Sequence, residues 1–135
     1  MNNYINLKKA CNTNDLELLR NEISLVPENM RNYFLNKLDT TTGTTLLHLA
    51  IKNEALEVVE ELLKHGANPN SFDSLQYTPL FEAVLFKNIN IVKILLKYGA
   101  NPTLKNKLNC SPRELAEKYN FFEITENFSQ YHYKN

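Results

Sequence analysis

A pattern that opens at Thr45 returns 33 residues later at Thr78 and again at Ser111, and Ala50, Ala83 and Ala116 keep the same spacing. A fixed period of this length is the signature of a solenoid, in which each unit buries its apolar face only by stacking on its neighbours. No other property of the chain narrows its fold as much. The best copy runs from Thr78 to Thr103, TPLFEAVLFKNINIVKILLKYGANPT, and reads as two short helices between turn signals. Thr78 can cap the free N–H groups of a helix start, and Pro79 suits the first helical position. Gly99 can take the left-handed conformation that ends a helix without a Cβ clash. In the second helix Ile91, Val92, Leu95 and Leu96 form one stripe, matched a unit earlier by Val58, Val59, Leu62 and Leu63.

The two ends depart from the pattern. LKKACNTNDLELLRNEI places Ala10, Leu16, Leu18, Leu19 and Ile23 in register, but Ala10 and Ala50 are 40 residues apart, so extra chain intervenes. VPENMRNYFLNKL, from Val26 to Leu38, is predicted to form an added short helix. Glu22 stands where later units have Leu62 and Leu95, a charge that suits an end unit whose outer face meets water. In the last unit Arg113 replaces Leu47 and Leu80, which also reads as a cap. One domain is therefore expected over 1–135. It comprises an N-terminal capping unit at 7–38 with its inserted helix, repeats at 40–72 and 73–105, and a C-terminal capping unit at 106–135.

Composition excludes several function classes. Apolar residues make up 43% and charged residues 22%, as in ordinary globular proteins, and fifteen basic residues balance fifteen acidic ones. No whole-molecule field draws the chain to nucleic acid or anionic membrane. Lys87, Lys93, Lys97, Lys105 and Lys107 cluster in the third unit, yet Glu82, Glu114 and Glu117 interleave with them. Cys11 and Cys110 are far apart without metal-ligand spacing, which fits a reduced, cytoplasmic protein. No apolar run has the length of a signal peptide core or a membrane helix.

At this point the residues resemble a known family. The period of 33, with TLLHLA at Thr45 to Ala50, TPLFEA at Thr78 to Ala83, and GAN at Gly66 and Gly99, is similar to ankyrin repeats. The resemblance implies an all-α ankyrin-repeat solenoid of about four helix-turn-helix units with short β-turn fingers, and a curved stack whose concave face binds partner proteins. Leu46 stands where the family has Pro, Phe81 and Glu114 replace the motif histidine kept as His48, and Gln76 and Asn109 replace the finger glycine kept as Gly43. His48 falls on a histidine that hydrogen-bonds within the family fold. Asn70 matches a position that an animal asparaginyl hydroxylase can modify.

Nothing in the chain proposes catalysis. His48, His65 and His132 have no zinc-like spacing, no Ser or Cys is set against a His base, and the three glycines all have repeat roles, so neither metal nor cofactor is expected. Glu54, Glu57, Glu60 and Glu61 face away from the Val58/Leu62 stripe and read as a solvated outer face.

The family's variable positions are the finger tips and the end of each first helix. They map to Thr41, Thr42, Thr44, Lys52 and Asn53, then Ser74, Leu75, Tyr77, Leu85 and Phe86, then Lys107, Leu108, Cys110, Lys118 and Tyr119. The first set is polar. The candidate partner-binding residues are Leu75, Tyr77, Leu85, Phe86, Leu108 and Tyr119, expected to form a contiguous apolar and aromatic patch on the concave side. The function expected is a protein-protein interaction module, monomeric when free, serving as inhibitor, adaptor or host-directed effector, since so small a chain has no attached domain to deliver. A self-assembling structural protein is the alternative, with an enzyme or nucleic-acid binder less supported. The tail aromatics Phe128, Tyr131 and Tyr133 are expected to cover the last helix pair.

Overall fold

The computed structural model describes residues 3–129 and builds them from short helices, with no extended strand among them. In chain order these are α1 (Asn3–Thr13), α2 (Leu16–Leu25), α3 (Glu28–Asn36), α4 (Leu46–Lys52), α5 (Leu56–Lys64), α6 (Pro79–Leu85), α7 (Ile89–Lys97), α8 (Pro112–Lys118) and α9 (Phe122–Ser129). They stack in two rows. One row runs α1, α4, α6, α8 and the other α2, α5, α7, α9, each helix packing on the next in its row, with α3 laid against α4. This is the all-α repeat solenoid that the period requires.

Each inner helix begins where the pattern places it. The hydroxyls of Thr45, Thr78 and Ser111 accept from the amides of His48, Phe81 and Glu114 at 3.3, 3.1 and 3.1 Å. Glu114 returns the bond, its carboxylate accepting from Ser111 N at 3.0 Å, so α8 starts with a full capping box. Helices of seven residues are too short to persist alone, so their stability comes from the stripes they bury. Val58, Val59, Leu62, Ile91, Val92 and Leu95 are wholly enclosed, in a core that reaches from Leu7 to Phe128.

Two charges expected to face water do not. Glu22 is 9% exposed, because the amides of Asn3 and Asn6 on α1 fold over it and donate to its carboxylate at 2.9 and 3.2 Å. Glu61 is 8% exposed, held between Arg20 of α2 at 3.3 Å and His65 at 3.1 Å. Burial alone would raise the Glu61 carboxyl, but the bonds from Arg20 and His65 outweigh it and leave it below its ordinary value. Cys11 lies in the core, where desolvation pushes its thiol up to about 12. Such a thiol is inert.

Candidate functional site

One side of the stack is made by the row α4, α6 and α8 and by the fingers that precede these helices, and a buried acceptor side chain organises each finger. Asp73 N donates to Tyr77 O at 3.0 Å, while Asp73 Oδ1 accepts from Leu75 N at 2.9 Å and Tyr77 N at 2.8 Å. Asn106 repeats this with Cys110 O at 2.9 Å, and with Leu108 N and Cys110 N at 2.9 and 3.1 Å. Asp39 closes the first finger on Thr44 O at 2.9 Å. Hydrogen bonds from Lys8 and Thr41 hold the Asp39 carboxyl well below the usual carboxylate range. Gly43, Gln76 and Asn109 all carry positive φ, at 72°, 64° and 63°, so the turn keeps one conformation whether or not glycine occupies it.

His48 is part of this frame. Its Nε2 lies 2.8 Å from Tyr77 O and its Nδ1 2.7 Å from Thr45 Oγ1, and its side chain is wholly buried. In the next unit Phe81 fills the same register and stacks on Tyr77 at 4.8 Å. Asn70 is likewise engaged: its side chain donates to Gly99 O at 3.1 Å and accepts from Asn101 N at 2.8 Å, tying one loop to the next.

The six candidate partner-binding residues separate by position. Leu75 and Leu108 are exposed at neighbouring finger tips, 55% and 79% open. Leu85, Phe86 and Tyr119 are exposed at the far ends of α6 and α8. Seven residues of helix at about 1.5 Å rise put about 10 Å between the two groups. Tyr77 is half-buried, with its ring given to Phe81, and Thr44 in the same register is buried. The preceding unit places exposed Lys52 and Asn53 at the positions of Leu85 and Phe86, and Asn53 is bonded to Asn12 at 3.1 Å.

The sequence reading passed over two neighbours of this surface. Phe122 is 74% exposed, and with Lys87, Ile89, Phe121, Glu123 and Ile124 it lines a cleft of about 180 Å³ between the third and fourth units. Lys87 reaches over the Phe121 ring at 5.2 Å. Counting forward from Tyr119 along the turn would have found these aromatics. The other missed residue is Glu82, counted in the sequence only among the charges interleaved with the third unit's lysines but 4% exposed. Phe128 is enclosed, whereas Tyr131, His132 and Tyr133 lie outside the described residues.

Among the described residues no three His, Cys, Asp or Glu side chains gather into a possible metal site, and no helix is long and apolar enough to cross a membrane. The sequence profile of the family described as "Ankyrin repeats (3 copies)" matches residues 7–106. A fowlpox virus (strain NVSL) protein named as an ankyrin repeat protein, FPV031, is 44% identical over 52 residues, covering 38% of this chain and 15% of its own length. A second, FPV022, is 44% identical over 48 residues, covering 36% of this chain and 8% of its own. The matched stretch is thus a small part of either relative.

Proposed function

The chain belongs to the ankyrin repeat family, and we propose that it acts by binding another protein through its concave face, with no catalysis of its own. Family members are in general protein-interaction modules. The observation that carries the reading to particular residues is the exposure of Leu85, Phe86 and Tyr119, at 48%, 45% and 56%, at register positions where the preceding unit is polar. Aromatic and apolar side chains held open on a rigid frame are favoured interface anchors. Little order must be gained on binding, because α6 and α8 are already packed on each other. Leu75 and Leu108 extend the surface to the finger tips, and Tyr77 adds a ring edge. The mechanism is occlusion or tethering of the partner, which suits an adaptor, inhibitor or effector acting in the cytoplasm as a free monomer.

Capture of a partner from native lysate by the wild-type chain and by Phe86→Glu tests this reading. The variant should keep its helical circular dichroism and melting temperature while losing capture. A melting loss like that of Leu95→Ala, about 2–5 kcal/mol for deleting an enclosed leucine, would show that Phe86 belongs to the core and would remove the surface. Concentration-dependent mass in light scattering, abolished by Phe86→Glu, would instead identify the partner as a second copy.

A further inference from the structure

Five carboxylates are buried among the described residues, and four of them have evident partners. Glu22 takes Asn3 and Asn6, Asp39 takes Lys8, Glu61 takes Arg20 and His65, and Asp73 takes the amides of its own finger. Glu82 is the exception. It is 4% exposed, and its Oε1 is enclosed without a hydrogen-bond partner. Lys52 of α4 and Asp73 of the adjoining finger face it, one drawing its carboxyl down and the other pushing it up, but burial dominates and holds it above its ordinary value. Lys52 closes no ion pair with it.

Its place in the repeat makes the exception informative. Glu82 stands in the register of Leu49 and Leu115, so the fold itself accepts leucine there and gains nothing from a charge. Glu82, Leu85 and Phe86 fall at i, i+3 and i+4, on one face of α6. An unpaired carboxylate therefore sits beside the exposed side chains that the proposed function uses.

We propose, resting on that reading, that Glu82 anchors a cationic side chain of the bound protein segment, an arginine or a lysine, whose apolar neighbours lie on Leu85, Phe86 and Tyr119. Arginine suits the site better, since its guanidinium desolvates more readily than an ammonium. Inserted there, the cation supplies the donors that the protein does not, in surroundings where a charge-assisted bond is strengthened by exclusion of water. Glu82 thus acts as a selectivity element: an apolar segment without a basic residue would leave it buried and unpaired.

Short random peptides displayed on phage and selected on the full chain test the proposal, with selected sequences resynthesised and their affinities measured by fluorescence anisotropy. Expected peptides carry Arg or Lys next to Leu, Phe, Tyr or Trp. Glu82→Gln, which preserves shape, should weaken them roughly tenfold without lowering the melting temperature. Citrulline in place of the peptide arginine should weaken them equally, and the two changes together should add little. Peptides that lose affinity with Phe86→Glu, yet lack a basic residue or bind Glu82→Gln as tightly as wild type, would overturn the role of Glu82 and leave the binding surface standing. Peptides indifferent to Phe86→Glu, or no selected peptide at all, would overturn both.

Discussion

The imidazole of His48 donates from Nε2 to the carbonyl oxygen of Tyr77 at 2.8 Å, so that α4 of one unit holds the finger of the next. The carbonyl can only accept, which places the proton on Nε2 and leaves Nδ1 to accept from the Thr45 hydroxyl at 2.7 Å. One buried side chain thereby joins the cap of its own helix to the neighbouring unit. His48→Ala strands both the Thr45 hydroxyl and the Tyr77 carbonyl and should lower unfolding free energy by about 3 kcal/mol in urea titration. A loss below about 0.5 kcal/mol would mean that the bond contributes nothing across the seam.

The same histidine sets a pH dependence. Burial is the chief cause holding its pKa below the ordinary 6.5, against opposing contributions from the Tyr77 carbonyl and Asp73. Between the folded and unfolded values the unfolded chain binds more protons, so stability is complete above about 6.5 and is lost as pH falls through the folded value. His48→Phe, which copies Phe81, should flatten that loss relative to wild type. Asp39 and Glu61 are also depressed, but as acids they withdraw stability only at pH below their unfolded values near 3.8 and 4.5. An imidazole proton resonance of His48 that titrates at 6.5 or higher would contradict the assignment.

The fold was legible in the sequence because a solenoid writes its geometry as a period. Thr45, Thr78 and Ser111 announce the caps, and the stripes from Val58 and Ile91 announce the buried faces. Polar burial was not legible. A glutamate in a leucine register reads alike at Glu22, where two asparagines close over it, and at Glu82, where nothing does. Glu61 joins Arg20 across 41 residues of chain, and no local pattern encodes such a meeting. The finger roles of Asp39, Asp73 and Asn106 were hidden for a related reason, since the first finger is one residue longer and breaks their spacing. Of the candidate surface, exposure at Leu85, Phe86 and Tyr119 followed from register, whereas the partial burial of Tyr77 depends on the neighbouring Phe81 ring.

Substitutions at the finger turn should have opposite signs in successive units. Gln76 adopts φ +64°, a conformation that a side chain other than glycine holds at a cost of about 1 kcal/mol. Gln76→Gly should therefore raise stability by up to about 0.5 kcal/mol, net of the added freedom of the unfolded chain. Gly43 has φ +72°, and a Cβ there would meet Ser74 Oγ at 2.5 Å, beside the bond from Ser74 N to Gly43 O. Gly43→Ala should lose about 1–2 kcal/mol, and thermal melts that moved in one direction for both variants would refute the shared turn.

Glu82→Leu places in the third unit the residue that Leu49 and Leu115 supply in its neighbours. Removing an unpartnered buried carboxylate should raise stability at neutral pH by about 1–3 kcal/mol. The gain should depend on pH in a direction opposite to that of His48. Because the folded-state pKa of Glu82 is raised, the folded chain binds more protons above the unfolded value near 4.5, and ionisation withdraws stability as pH climbs through the folded value. Acidification to about pH 4 protonates the carboxyl in both states, so the advantage of leucine should shrink there to its packing alone. Urea titrations of the two proteins at both pH values decide the point. An advantage unchanged by pH would show that the carboxylate is no burden to the folded state, and that a cationic partner has nothing at Glu82 to relieve.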